Sequence, residues 1–555
     1  MAPKSRRLLR REITYSQARD EEVNILRRLD YWPEKNKFIN RVFRHQNWIQ
    51  ATVAHHLNVS AQDCDVSLKD SLYGSFNLCI PVTVKKWKGK RQSGNRLMFR
   101  LPLPYRVGDA FRPGNGDEKV RCEAGTYAWL EENCPDVPIP RFYGFGVSTG
   151  ETFTRIENLS VFVRWYQYLR HWILSLLGYS LPSFYVRRRR PPKRKSKGHN
   201  PFRTAYMLIE YIEETRGRML SETWLKGQQA TDPVLRANLF RSISQILLSI
   251  SRIPLPRIGS FVIDNGGYLR LTNRPLTIEL QELENEEIPT DISRDYTYST
   301  VDSYAMDMLG IHNNRIRYQP NAINHVADGA YQIGVLTGMR TVMPTLFKRE
   351  LRRGPFVFTF TDMHRSNIFV DDKWHITCLV DLEWACSRPI EMLQPPEWLT
   401  DKAVDILAKE SDEYNKLRVE FMRILAAEEE ACGKRQCRWD VLGDGTKLST
   451  LMENGWELGT FWYCLALASP TSVFAIFDKQ IRHRYRVHEP RQQQQQPMEG
   501  DDEEEDLFDR VMPWYWSQDS RYVLKQKLSD KRDYDRRLKE AFGIEPDKLA
   551  ITWER

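Results

Sequence analysis

The stretch from Phe356 to Ala385, FVFTFTDMHRSNIFVDDKWHITCLVDLEWA, constrains this chain more than any other. An apolar run, Phe356 to Phe360, delivers Asp362 into a short polar segment, with Asn367 five residues on. A β-prone stretch, Ile368 to Val370, meets a turn at Asp371-Asp372-Lys373-Trp374, and the chain returns through His375 to Val380 and stops at Asp381. Outward and return paths of similar length predict a hairpin with Asn367 and Asp381 at one end, the end that also carries Asp362. Two carboxylates and an amide at one hairpin mouth are hard oxygen ligands, suited to Mg²⁺ and a phosphate chain.

D-x4-N alone is common and fits an exposed turn with a helix cap. Followed by a hairpin and a second Asp, it has the layout of a kinase catalytic loop and its metal-binding Asp. With TDMHRSNIFVDD, CLVDLEWA and PIEMLQPPEWLT in place, the chain resembles the aminoglycoside phosphotransferase family, and is especially similar to its divergent branch in filamentous fungi. The segment RLPLPYRVGDAFRPGNGDEKVRCEAGTYAWLEENCPDVPIPRFYGFG, residues 100–146, resembles the same branch.

The resemblance implies an α+β, protein-kinase-like, two-lobed fold, with a small β-rich N-lobe and a larger helical C-lobe. It implies ATP and Mg²⁺ as cofactors and a small-molecule hydroxyl as acceptor. Asp362 would be the catalytic base, with Asn367 and Asp381 as metal ligands. Arg100, on a strand Arg96–Leu101, stands where kinases present a Lys to the phosphates, and Glu123 on the following helix would pair with it. The turn Gly74, Ser75, Phe76 would lay backbone over the phosphates, although G-x-G-x-x-G is lacking. The connector Glu210, Tyr211, Ile212 would bond adenine. His364 and Glu383 are expected to brace the loop, Glu383 either by holding Asp381 or by capping the hairpin. Two departures stand out: Arg100 replaces Lys, and Phe360-Thr361-Asp362 replaces the family's His-Gly-Asp, so Phe360 must support the loop by packing. An inactive kinase-like binding or scaffold protein is therefore the alternative. A third class is a nucleic-acid or membrane-surface adaptor acting through residues 165–197.

Composition fits a multi-domain globular enzyme: 555 residues, 41% hydrophobic and 28% charged. The net charge of +9 is local, because RRRRPPKRKSK (residues 187–197) holds eight basic residues and no acid, leaving +1 for the rest. Nine scattered cysteines without a paired C-x2-C read as reduced thiols of a cytoplasmic or nuclear protein, and no structural metal is expected. The Arg-rich first eleven residues lack the apolar core of a signal peptide.

Along the chain the pattern predicts a helical extension (1–60), an N-lobe (61–157), an apolar and basic insertion (158–204), a strand and connector (205–215) and a C-lobe (216–488). A Gln-rich and acidic linker (489–506) and a helical segment (507–555) follow. Strands are expected at Val66–Tyr73, Phe76–Val84, Arg96–Leu101 and Tyr206–Ile212. Helices are expected at Asp117–Glu132, Asp232–Arg252, Ile323–Met339, Asp401–Cys432 and Leu448–Ala468. Within the insertion, about fifteen apolar-rich residues around Trp165–Val186 are too few to span a bilayer, which takes ~20. The leading expectation there is an amphipathic element packed on the lobe, followed by membrane-surface or polyanion contact helped by the arginines. A solvated loop or a nuclear-import signal also fits the basic run.

Overall fold

The structure is a computed structural model describing residues 5–87, 94–188, 200–224, 232–434, 440–485 and 508–544. Most of the basic run and the whole Gln/acidic linker lie outside the described residues.

An antiparallel eight-stranded sheet occupies the first half of the chain. Its order is Cys64–Val66, Asn77–Val84, Arg96–Pro102, Tyr206–Glu210, Phe142–Gly146, Thr152–Arg155, Tyr185–Arg188, with Leu72–Tyr73 also on Asn77–Val84. The central strands are apolar and buried on both faces because helices cover them. Ile49, Val53 and Leu57, from the helix Gln46–Leu57, share one core with Leu78, Ile80, Val82, Phe99 and Leu208. Each such side chain stabilises the sheet by roughly 1.5–3 kcal/mol on burial.

The helix Asn115–Asn133 runs between this sheet and the hairpin Ser260–Ile263/Leu269–Asn273. Backbones approach closely there: a Cβ on Gly125 would lie 2.2 Å from the Phe261 carbonyl oxygen, so only glycine fits. Beyond Tyr206–Glu210 the chain is mainly helical, with Pro233–Ser251, Val301–Tyr318, Val326–Leu346 and Ser411–Lys434 the longest elements before the terminal helix Ser520–Ala541. That last helix packs on Val326–Leu346 and also on the N-terminal helices, where the Ile25 N–H donates to the Tyr534 hydroxyl at 3.0 Å.

Several predicted elements differ in detail. The strand expected over Val66–Tyr73 is two short pieces, because Ser67 bonds Asp70 and Ser71 bonds the Leu68 carbonyl, diverting the segment from the ladder. The helix expected over Asp401–Cys432 breaks at Glu410, and a second helix starts at Ser411 with Asp412 and Glu413 in its first turn. Leu448–Ala468 is divided at Gly459, whose φ of 92° ends one helix and opens the next. The helix expected from Ile323 to Met339 runs Val326–Leu346.

The largest correction concerns the insertion. Val161–Leu176 is a helix, but it does not pack its apolar side on the sheet: only Gln167 is buried. Among the described residues, no helix is long and apolar enough to cross a membrane.

Candidate functional site

Phe356–Phe360 pairs in antiparallel register with Ala385–Pro389, and the hairpin Ile368–Val370/Ile376–Leu379 stands beside it. Val380 donates to the Asn367 carbonyl at 2.9 Å, so positions 367 and 381 face each other across the hairpin mouth. The Asn367 amide nitrogen donates to the Asp362 carbonyl oxygen at 2.9 Å and lies 3.3 Å from its carboxylate. Asp362, Asn367 and Asp381 line a single cleft together with Phe360, Met363 and Trp384. Asp381 sits in the left-handed region at φ 56°, ψ 57°, a conformation costing roughly 1–3 kcal/mol that surrounding contacts must hold.

The loop around Asp362 is fastened from several sides. The Thr361 N–H donates to the Trp384 carbonyl at 3.0 Å, and the Trp398 indole donates to the Met363 carbonyl. His364 accepts at Nδ1 from the Ser366 N–H at 3.4 Å, a local bond within the loop. Phe360 packs edge-on against Phe358, with ring centroids 5.8 Å apart.

The strand Arg96–Pro102 and the helix Asn115–Asn133 meet this mouth from the other side. Arg100 donates to Glu123 at 2.6 Å, to Glu383 at 3.1 Å and directly to Asp381. Lys119, one turn before Glu123, is wholly buried and donates to Glu383 at 2.5 Å and to the Asn77 side-chain oxygen at 2.8 Å. Asn77 returns its amide N–H to Glu383 at 2.8 Å. Glu383 therefore holds the two cations in place. Two cations thus face three carboxylates, and Asp381 keeps 41% of its side chain exposed.

Burial first, and the neighbouring charges after it, shift the carboxyl groups of the cluster. Burial pushes Glu123 up to about 7 against the pull of Arg100, with Glu383 adding to the rise. At Glu383 burial also works upward, but Lys119 and Arg100 outweigh it and hold the carboxyl below its usual range. Crowding by protein raises Asp381 despite its open face, Arg100 opposing. Asp362 rises to about 8, from burial first and then from Glu383 and Asp381.

The donors suit a hard divalent cation: a carboxylate, an amide oxygen and an unbalanced negative charge. No group of three His, Cys, Asp or Glu side chains that could hold a metal exists among the described residues, so phosphate or water oxygens would have to complete any shell. The space is narrow. The cleft at the mouth measures about 10 Å³, room for about one water. A second cavity of about 170 Å³ opens on the other side of the loop, lined by Glu279, Thr359, Phe360, Arg388, Gln394 and Glu397.

The remaining sequence-predicted residues lie farther from the mouth or are engaged. The Gly74 N–H closes its own turn on Asn77, and Ser75 receives the guanidinium of Arg10 at its hydroxyl and of Arg106 at its carbonyl. Phe76 is buried edge-on against Trp384, at 5.4 Å between centroids. The Glu210 carboxylate accepts from Arg141 and Arg216, and the Tyr211 ring lies under Arg96 at 4.0 Å. Ile212 follows in the connector after the strand Tyr206–Glu210 ends.

Sequence reasoning missed Lys119 and Asn77. The usable signal was Lys119 four residues before Glu123 on a predicted helix, which puts both on one face.

No family model matches this chain, and no curated protein matches it. Among solved structures it is similar to the apoenzyme of macrolide 2'-phosphotransferase MphH from Brachybacterium faecium, at 12% identity, covering 80% of this chain and 98% of that one with a TM-score of 0.30. A likeness of that size leaves the chemistry of this chain to be read from its own residues.

Proposed function

We propose that this protein is an ATP-dependent phosphotransferase acting on a hydroxyl of a small molecule, built as a two-lobed, protein-kinase-like enzyme. The carrying observation is the meeting of Asp362, Asn367 and Asp381 at one hairpin mouth, with Arg100 reaching Asp381 from the sheet while paired to Glu123. A cation on a central sheet strand paired to a carboxylate on the next helix is the arrangement that positions phosphates in kinases.

Asn367 and Asp381 would hold Mg²⁺, and Arg100 would neutralise phosphate oxygens while Glu123 and Glu383 keep its fork oriented. When bound, Mg·ATP supplies the transferable phosphoryl group and the charge that offsets its developing negative oxygens. Asp362 orients the acceptor hydroxyl and takes its proton late, since a loose transition state demands little base strength. The cavity bounded by Glu279, Arg388 and Glu397 receives the acceptor. Nucleotide entry requires the Arg100–Asp381 contact to part, because the present cleft is too small for a triphosphate.

The same contact favours a second reading, a kinase-like binding protein without turnover, in which Arg100 permanently occupies Asp381. Calorimetry with Mg·ATP and a screen of metabolite pools for ATP-dependent phosphorylation separate the two. The enzyme reading expects Asp381→Ala to abolish metal-dependent ATP binding, and Asp362→Ala to keep binding while losing turnover. Wild-type protein that binds no Mg·ATP would end both readings; binding without turnover across the screen would favour the second.

A further inference from the structure

A surface helix normally turns its apolar stripe inward. The helix Val161–Leu176 does the reverse. Its covered stripe is Arg164, Gln167, Arg170, His171 and Leu174, mostly polar. These residues make the attachments: Arg170 donates to the Tyr268 hydroxyl at 3.2 Å, Arg164 to the Glu157 carbonyl at 3.5 Å, and His171 stacks on Phe184 with ring centroids 5.6 Å apart. Outward the helix turns Phe162, Trp165, Tyr166, Trp172, Ile173 and Leu176, with half-buried Leu169 at their middle. Phe162 is 87% exposed, Trp165 68% and Leu176 71%.

Size, charge and spacing together say what covers this face. An aromatic side chain presents ~150–250 Å², so the exposed shares of Phe162, Trp165, Tyr166, Tyr168, Trp172 and Tyr179 come to roughly 800 Å². That exceeds the ~300–600 Å² of the largest apolar patch on an ordinary monomer. It matches the ~800 Å² that each partner brings to a stable interface. As for charge, residues 161–181 hold no Asp or Glu, and the nearby cations are engaged by the protein itself. Arg164 and Arg170 bond as above, Arg187 pairs with Glu151, and Arg188 donates to the His55 carbonyl at 3.1 Å. Two identical faces meet without repulsion when neither presents charge, and an uncharged aromatic surface has the composition of an interface core. A helix seated among lipid headgroups would instead hold its cations outward.

The spacing fits a second copy of the same helix. An isologous pair needs each contact between two positions to occur twice, once on either side of its two-fold axis. Along the outward seam, positions 162, 165, 166, 169, 172, 173 and 176 are symmetric about Leu169. Two antiparallel copies crossing at that residue set Phe162 against Leu176, Trp165 against Ile173 and Tyr166 against Trp172.

We propose that residues 161–181 form the interface of a homodimer, with two copies of the helix Val161–Leu176 lying antiparallel across a two-fold axis at Leu169. The pairing does not depend on the phosphotransfer reading.

The test is sedimentation equilibrium of the full chain over a wide range of concentration. Wild type is expected to dimerise, and its melting temperature to rise with concentration. Trp165→Ser with Trp172→Ser should weaken the dimer by about thirtyfold or more per ring, because interface tryptophans are hot spots. The variant should still fold, since both rings are exposed in a single copy. Phe162→Lys and Leu176→Glu should each be monomeric alone. Mixed together they should form a heterodimer, because only the antiparallel register sets the introduced ammonium against the introduced carboxylate. Wild type that stays monomeric overturns the proposal, as does a dimer that survives the double Trp variant. So does a failure of the two charged variants to associate on mixing. A monomer that binds phosphatidylcholine vesicles through the same tryptophans also overturns it, and assigns the face to lipid.

Discussion

Two buried ion networks sit on the same helix, Asn115–Asn133, one turn apart, and they are built differently. Around Glu118, Arg274 binds both carboxylate oxygens at 2.8 and 2.9 Å and both oxygens of Glu284 at 2.6 and 2.9 Å. Arg294, Arg112, Asn115 and Thr290 complete the shell, so that three guanidinium groups face two carboxylates. Around Glu123, two cations face three carboxylates, and one of them, Asp381, opens to the surface. A satisfied network in low dielectric rigidifies a joint. One left short of positive charge, at the end that meets solvent, is less tightly fastened and leaves Asp381 open to approach. The first network fastens the helix to the segment around Arg274 and Glu284; the second carries the candidate chemistry.

The comparison is most severely tested by removing the centre of the closed network. Arg274→Met leaves Glu118 and Glu284 underpaired in the interior and should cost about 3–5 kcal/mol of stability, read by chemical denaturation. A loss under about 1 kcal/mol would show that Arg112 and Arg294 suffice and that the two networks are less different than their geometry suggests. At the open mouth, Asp362→Asn should lower turnover by about 10²–10⁴-fold while sparing Mg·ATP binding, measured by steady-state kinetics beside calorimetry.

Proton linkage separates the networks by sign. Glu123 is raised to about 7 from 4.5, so folded protein holds a proton there that the unfolded chain has released; its contribution is present at low pH and lost as pH rises through about 7. Glu284 is held below its usual range by Arg274 despite burial, so its contribution is present above the unfolded value and lost as pH falls through the folded one. Melting curves against pH should therefore lose a downward slope in Glu123→Gln and an acid-side loss in Glu284→Gln. Equal slopes in the two variants would contradict the assignment. The smallest change in stability is expected for Asp381→Asn, within about 1 kcal/mol, because it relieves surplus negative charge at an exposed end. Its nucleotide binding should nevertheless disappear.

Much of the hairpin at the mouth was legible beforehand. Apolar runs of strand length, a polar break and a turn rich in Asp fix the direction of the chain over a few residues, so Asn367 and Asp381 could be set opposite each other from spacing alone. The Arg100–Glu123 pair followed from the resemblance to kinases, which set such a pair on a strand and the next helix, although its further contacts to Asp381 and Glu383 did not. Lys119 and Asn77 gave little signal, since a lysine on a helix is ordinarily solvated and only the arrival of Glu383 from more than 260 residues away makes its burial tolerable. The broken strand at Val66–Tyr73 and the divided helix at Gly459 turned on local bonds and one backbone angle that periodicity does not register.

The outward-facing helix shows the division most sharply. Its amphipathic pattern, its length and the acid-free surroundings are properties of residue order, because periodicity and charge accumulate along the chain. Which stripe meets the protein depends on Tyr268, the Glu157 carbonyl and Phe184 being there to receive Arg170, Arg164 and His171. Those partners come from separate segments that only folding brings together, so the orientation of the helix, like the burial of Lys119, belongs to tertiary structure.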